Sequence, residues 1–300
     1  MPHVSLDWTG VLPAITTPFR DDLSVDHAFL GTHAGQLVDA GSRAIVALGS
    51  LGEGATLSFE EKEAVLRTCV EAVGARAPVV AAVSALSTDE AVRVAQMAER
   101  VGCGGLMVLP PYVYASDWRE MRAHVDAVLR ATDLPCMLYN NPIAYGTDFR
   151  PEQVAELAEA HSTLEAVKES SGDVRRVTAL RVLLGDRLRV LVGLDDAVVE
   201  GVRAGAAGWV AGLVNALPRE SVVLFERARR GEDVADLYAW FLPLLRLDTV
   251  VKFVQLIKLV QAEVGMGRER VRPPRLVLDG AEREAALALI HQALANRPQV

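Results

Sequence analysis

Eight short apolar runs recur along this chain, at residues 11–16, 44–49, 78–83, 105–110, 135–140, 164–168, 188–193 and 208–212. They are rich in Val, Ile and Leu, continuous rather than alternating, and roughly 25 to 30 residues apart, the length of one βα unit. A strand that is apolar on both faces belongs in a parallel sheet covered on both sides. Segments with helical periodicity follow most of the runs, at 58–74, 87–101, 115–132, 150–161 and 174–184. Ser58 before Glu60-Glu61, and Ser87-Thr88 before Asp89-Glu90, supply start signals for two of them.

Eight such units in succession predict a closed α/β barrel, the (β/α)8 TIM barrel, over residues 1–218. An open doubly wound sheet is the competitor, but it would carry a glycine-rich phosphate turn after its first strand. The stretch from Val11 to Phe19 has no G-x-G-x-x-G and no G-K-[ST], and the turn Gly49-Ser50-Leu51-Gly52-Glu53-Gly54 has neither. Residues 219–300 read as the closing helix and a C-terminal helical subdomain for packing or oligomerisation, with breaks at Gly231, Gly265-Met266-Gly267 and Pro273-Pro274.

With 300 residues and 51% hydrophobic content, the chain can bury a large core. A net charge of −8 and the lack of a polybasic cluster argue against nucleic acid. The apolar stretches are strand-sized, too short for a membrane span, and the start lacks a basic segment before an apolar one, so a cytoplasmic protein is expected. Cys69, Cys103 and Cys136 read as buried small hydrophobes. The six histidines show no metal-site spacing; His124 and His161 read as surface or cap residues, and neither metal nor cofactor is expected.

In such a barrel the chemistry lies where strands end and βα loops begin. Those ends offer several hydroxyls, two phenols, one amine and no facing carboxylate pair. The amine is Lys168, which closes the run Leu164-Glu165-Ala166-Val167 in a chain with only three other lysines, Lys62, Lys252 and Lys258. A buried ammonium is costly, so its pKa falls toward the neutral amine, which can attack a carbonyl and form a Schiff base. The duller reading is a lysine snorkelling at a strand end or paired with Glu169.

The stretches Thr16-Thr17-Pro18-Phe19, Gly49-Ser50-Leu51-Gly52-Glu53, Leu138-Tyr139-Asn140-Asn141-Pro142 and Val167-Lys168-Glu169-Ser170-Ser171-Gly172-Asp173 resemble signatures of the dihydrodipicolinate synthase/N-acetylneuraminate lyase superfamily. The resemblance spans nearly the whole chain, and the order of the stretches is its specific part. It implies that Lys168 forms the Schiff base with a 2-oxo acid, that Tyr139 relays a proton, that Ser50 links the tyrosines, and that Tyr112 serves a neighbouring subunit's site. It also implies a homotetramer or homodimer. The Gly49-to-Gly54 turn would present backbone N–H groups to the substrate carboxylate. Thr16, Thr17, Leu51, Gly52, Asn141, Gly193, Asp195, Val210 and Gly212 would line the substrate.

Departures from the pattern bear on the substrate. Leu51 stands where synthases of the lysine pathway carry a second hydroxyl, Ala144 where they carry a carboxylate-binding arginine, and Gly212 where sialic acid lyases carry a serine. Leu51, Tyr139-Asn140-Asn141-Pro142, Lys168-Glu169-Ser170-Ser171-Gly172-Asp173 and Leu247-Asp248-Thr249 together resemble the hydroxyproline-degradation branch, whose members convert 1-pyrroline-4-hydroxy-2-carboxylate to 2,5-dioxopentanoate with release of ammonia. The expected function is a Schiff-base lyase acting on a small 2-oxo acid or its cyclic imine, with that deaminase as the leading reading. An aldolase cleaving a 4-hydroxy-2-oxo acid to pyruvate, a dihydrodipicolinate synthase, and a non-catalytic binding protein are the alternatives.

Overall fold

In the computed structural model, which describes residues 6–111, 113–115 and 117–300, each apolar run overlaps a strand. The strands are β1 Gly10–Pro13, β2 Ile45–Ala47, β3 Val79–Val83, β4 Gly105–Val108, β5 Cys136–Asn140, β6 Leu164–Glu169, β7 Arg189–Val192 and β8 Gly208–Ala211. All neighbouring pairs run parallel, in the order β1-β8-β7-β6-β5-β4-β3-β2. A bridge between Ala14 and Val46 brings the two ends together, with Ile15 N–H donating to Val46 O at 2.9 Å and Arg43 N–H to Val11 O at 2.9 Å. The fold is the eight-stranded α/β barrel.

The helices are α1 His27–Asp39, α2 Phe59–Val73, α3 Thr88–Val101, α4 Trp118–Leu129, α5 Pro142–Tyr145, α6 Pro151–Ala160, α7 Arg175–Leu184, α8 Val198–Arg203, α9 Pro218–Arg229, α10 Ala235–Leu245, α11 Phe253–Glu263 and α12 Gly280–Ala295. Their starts follow local chemistry. Ser58 and Glu61 form a reciprocal capping box on α2, and Ser87 and Asp117 cap α3 and α4 with their side-chain oxygens. The four-residue helix α5 is too short to give a periodic signal; only Asn141 before Pro142 marks it, and Asn141 Oδ1 accepts the Ala144 N–H at 3.0 Å.

Strand burial explains the continuous apolar runs: apart from Glu165 and Arg189, the strand residues are buried on both faces. Trp8 plugs the lower end of the barrel, fully buried, with its indole donating to Glu165 at 3.1 Å. Gly105 admits the plug, since a Cβ there would lie 2.7 Å from Leu6 and 3.3 Å from Trp8. With the bottom sealed, access is left at the ends where β1 to β8 finish.

Two readings of histidine need correction. His124 is buried, its Nδ1 3.0 Å from the Thr88 hydroxyl, and it does not face solvent. His161 does cap α6, but it too is buried, with Nε2 2.6 Å from Asp126. The three cysteines are buried, and burial pushes each thiol up to about 12. Among the described residues no helix is long and apolar enough to cross a membrane.

Candidate active site

Parallel pairing of β5 with β6 sets Tyr139 and Lys168 in register, so both side chains emerge at the same level of the barrel mouth. Lys168 is 6% exposed, and its amine lies 4.1 Å from the centroid of the Tyr139 ring. Burial is the main cause that pulls its pKa below the ordinary lysine value; Tyr145, Asp248 and Asp195 pull the other way. Lys258, on α11, is a useful contrast. Its amine sits 2.5 Å from Glu53 and also donates to Thr17 O and Arg270 O, each at 2.8 Å. Three acceptors occupy that ammonium. No carboxylate of the described residues lies within salt-bridge distance of Lys168, so its lone pair can be made available to an electrophile.

Glycines at the ends of β7 and β8 make the space. A Cβ on Gly193 would fall 2.6 Å from Lys168 Cε and 1.9 Å from Ser170 Oγ; on Gly212 it would fall 2.0 Å from Asp248 Oδ1. Asp195, expected among the substrate-lining residues, is fully buried. It accepts from the Trp209 indole at 2.9 Å, from Gly212 N–H at 3.0 Å and from Leu213 N–H at 2.7 Å, so both its oxygens are occupied by protein donors. Burial pushes this carboxyl up to about 6 despite those bonds. Those bonds tie Asp195 to the loop after β8, the strand in which Val210 is also fully enclosed.

The phenols complete the mouth. Tyr139 OH accepts from Asn141 Nδ2 at 2.9 Å; burial raises its pKa, while Asn141, Ser170 and Tyr145 lower it. Tyr145, at the end of α5, meets the Tyr139 ring edge-on, with centroids 5.6 Å apart and planes at 85°. Its hydroxyl lies 2.5 Å from Ser50 Oγ. Ser50, Tyr145, Tyr139 and Lys168 are thus gathered in succession at the barrel mouth. The short helix α5, entered through Asn141-Pro142 and left at Gly146, aims Tyr145 inward. Tyr112 lies outside the described residues.

The hydroxyls of Thr16 and Thr17, expected to line the substrate, both donate to protein acceptors. Thr17 Oγ1 donates to Gly52 O at 2.6 Å and Thr16 Oγ1 to Gln261 Oε1 at 2.9 Å. Thr16 thereby ties the end of β1 to α11, and Thr17 braces the Gly49-to-Gly54 turn. Within it, the N–H groups of Glu53 and Gly54 are spent on Ser50 O and Gly49 O. Those of Leu51 and Gly52 have no acceptor among the described residues. Gly52 permits the close approach to β1, since a Cβ there would lie 2.8 Å from Ile15 O. The Leu51 side chain is buried. No group of three His, Cys, Asp or Glu side chains among the described residues is placed to hold a metal.

The model of the dihydrodipicolinate synthetase family matches residues 7–293. The chain belongs to that family. A 4-hydroxy-tetrahydrodipicolinate synthase from Agrobacterium fabrum is 32% identical over 292 residues, covering 96% of this chain and 99% of the relative. One from Methanoculleus marisnigri is 35% identical over 288 residues, covering 92% and 96%. Among solved structures, the 4-hydroxy-tetrahydrodipicolinate synthase of Methylacidiphilum fumariolicum SolV superposes with a TM-score of 0.90 at 27% identity, over 96% of this chain and 97% of its own. YagE, a prophage protein of the same family from E. coli K12 in complex with pyruvate, gives a TM-score of 0.90 at 26% identity, over 96% and 99%. Members of the family are class I Schiff-base lyases, and this chain is an enzyme of that type.

Proposed function

We propose that this Schiff-base lyase acts on a small 2-oxo acid or its cyclic imine through Lys168, and that its reaction is the deamination of 1-pyrroline-4-hydroxy-2-carboxylate. The observation that carries the reading is the Lys168 amine, buried against the face of Tyr139 with no carboxylate partner among the described residues. Leu51 and Ala144 leave the mouth without the hydroxyl and the cation that a second charged substrate would need, which favours a small, compact one. The free N–H groups of the Leu51-Gly52 turn are suited to the carboxylate.

In this reading Lys168 Nζ adds to C2 of the imine, and expulsion of the ring nitrogen leaves an iminium on the enzyme. That cation acidifies C3–H, and Tyr139 takes the proton, backed by Tyr145 and Ser50. Hydroxide leaves from C4, the double bond moves until C5 bears the nitrogen as an imine, and two hydrolyses free ammonia and 2,5-dioxopentanoate. One water is lost and two are consumed, so the net reaction takes up one.

The relatives, named 4-hydroxy-tetrahydrodipicolinate synthases, favour that activity as a second reading. Product analysis separates the two. Ammonia and 2,5-dioxopentanoate formed from the purified imine support deamination. Failure to release ammonia, with pyruvate released from a 4-hydroxy-2-oxo acid or a heterocycle built from pyruvate, contradicts it. As further parts of the proposal, the enzyme is cytoplasmic, assembles as a homotetramer or homodimer, and is divided into a barrel over 1–218 and a helical subdomain over 219–300.

A further inference from the structure

A carboxyl that the strand ends do not supply reaches the same mouth. Asp248 closes the 3-10 turn Arg246–Asp248 after α10 and lies against Gly212 at the end of β8. The approach is so close that a Cβ on Gly212 would fall 2.0 Å from Asp248 Oδ1 and 2.4 Å from its Cγ. Only glycine admits the carboxyl there. Oδ1 is buried without a hydrogen-bond partner among the described residues, although the residue as a whole keeps part of its surface exposed. An ionised oxygen in that position would be desolvated and unpaired, whereas a protonated carboxyl avoids the cost.

The charges around it point the same way. Asp195 stands behind Gly212 with both oxygens held by protein donors, and Asp196 adds a second negative charge, partly answered by Arg246 at 3.8 Å. Lys168 is the group that favours ionisation. Burial, then Asp195, holds the Asp248 carboxyl well above the usual carboxylate range, and Lys168 offsets only part of this. The Asp248 pKa is thus raised, and its Oδ1 meets no protein donor among the described residues.

We propose that Asp248 is the proton donor to the C4 oxygen of the lysine-bound adduct, and that this donation commits the site to losing water rather than cleaving the C3–C4 bond. The inference rests on the deaminase reading and deepens it. As C3–H gives its proton to Tyr139, the electron pair forms C3=C4, the C4–O bond breaks, and the departing oxygen takes the Asp248 proton and leaves as water. The proton taken from C3 returns to Asp248 through the phenols and solvent, so the step removes one water overall. Retro-aldol cleavage needs the reverse, a base that takes the C4 hydroxyl proton. A carboxyl kept protonated does not provide one.

Asp248→Asn keeps the shape and removes the acid. With 1-pyrroline-4-hydroxy-2-carboxylate in deuterated water, the variant should release ammonia about 100-fold or more slowly than wild type, the range expected for loss of a general acid. Deuterium uptake at C3, which needs only Lys168 and Tyr139, should persist, and Asp248→Ser should show the same split. Lys168→Ala should lose both signals. Ammonia release by the Asn and Ser variants at the wild-type rate overturns the inference, and so does a parallel loss of exchange and release, which marks a merely structural role. Wild-type enzyme that releases no ammonia from the imine sinks the deaminase reading itself, and this inference with it.

Discussion

Three of the four lysines in the chain are buried, and two of them, Lys168 and Lys258, owe different chemistry to different surroundings. Lys258 meets a carboxylate and two carbonyls, while Lys168 meets the face of a phenol. Burial depresses the Lys168 pKa, so between that depressed value and the ordinary 10.5 the unfolded chain binds more protons than the native one. The sign follows: Lys168 makes stability rise with pH through that window and lowers it at neutral pH. Lys168→Met should therefore abolish turnover and yet raise stability near neutral pH by about 1 kcal/mol, with a flatter pH dependence. Chemical denaturation at several pH values checks this, and a variant less stable than wild type at neutral pH contradicts it. Sequence alone pointed to Lys168 because an amine ending an apolar run is costly. It gave no such hint for Lys258, which lies mid-helix and meets Glu53 across 205 residues of chain.

At the scale of elements, the Gly49-to-Gly54 turn is clamped from two sides. Thr17 holds it to β1, and Glu53, in a left-handed conformation at φ 53°, ties it to α11 through Lys258 and to the following segment through Arg272 N–H at 3.0 Å. Lys258→Met would leave Glu53 buried and without its closest countercharge, and should cost about 3 to 5 kcal/mol in an unfolding titration. Adding Glu53→Gln should recover part of that loss; a double-variant loss equal to the sum of the two single-variant losses would show that the pair carries no coupling. The strands and long helices were legible because their periods are set by local sequence, as in the capping box of Ser58 and Glu61. Tyr145, Asp248 and the true partners of Thr16 and Asp195 were not. Their roles depend on contacts between distant segments, such as Asp195 with Leu213 N–H and Thr16 with Gln261, and on which way one short helix turns a side chain.

For the whole molecule, the barrel and the helices after it share buried polar groups. Lys258 and Gln261 of α11 bond to Thr17, Glu53 and Thr16 from the mouth, Asp248 packs on Gly212, and Arg272 reaches Glu61 of α2 at 2.7 Å. Removing the tail would strand those groups. The chain should therefore unfold in a single transition, with near- and far-ultraviolet circular dichroism coincident, and two separated transitions would show that residues 219–300 melt independently. The central claim is that the Lys168 amine captures a ketone or imine carbon, and borohydride reduction in the presence of pyruvate tests it most directly. The account predicts a mass increase of one reduced pyruvate adduct per chain, mapped by peptide sequencing to Lys168 and lost in Lys168→Ala. An unchanged mass, or an adduct on Lys62, Lys252 or Lys258 instead, would contradict it.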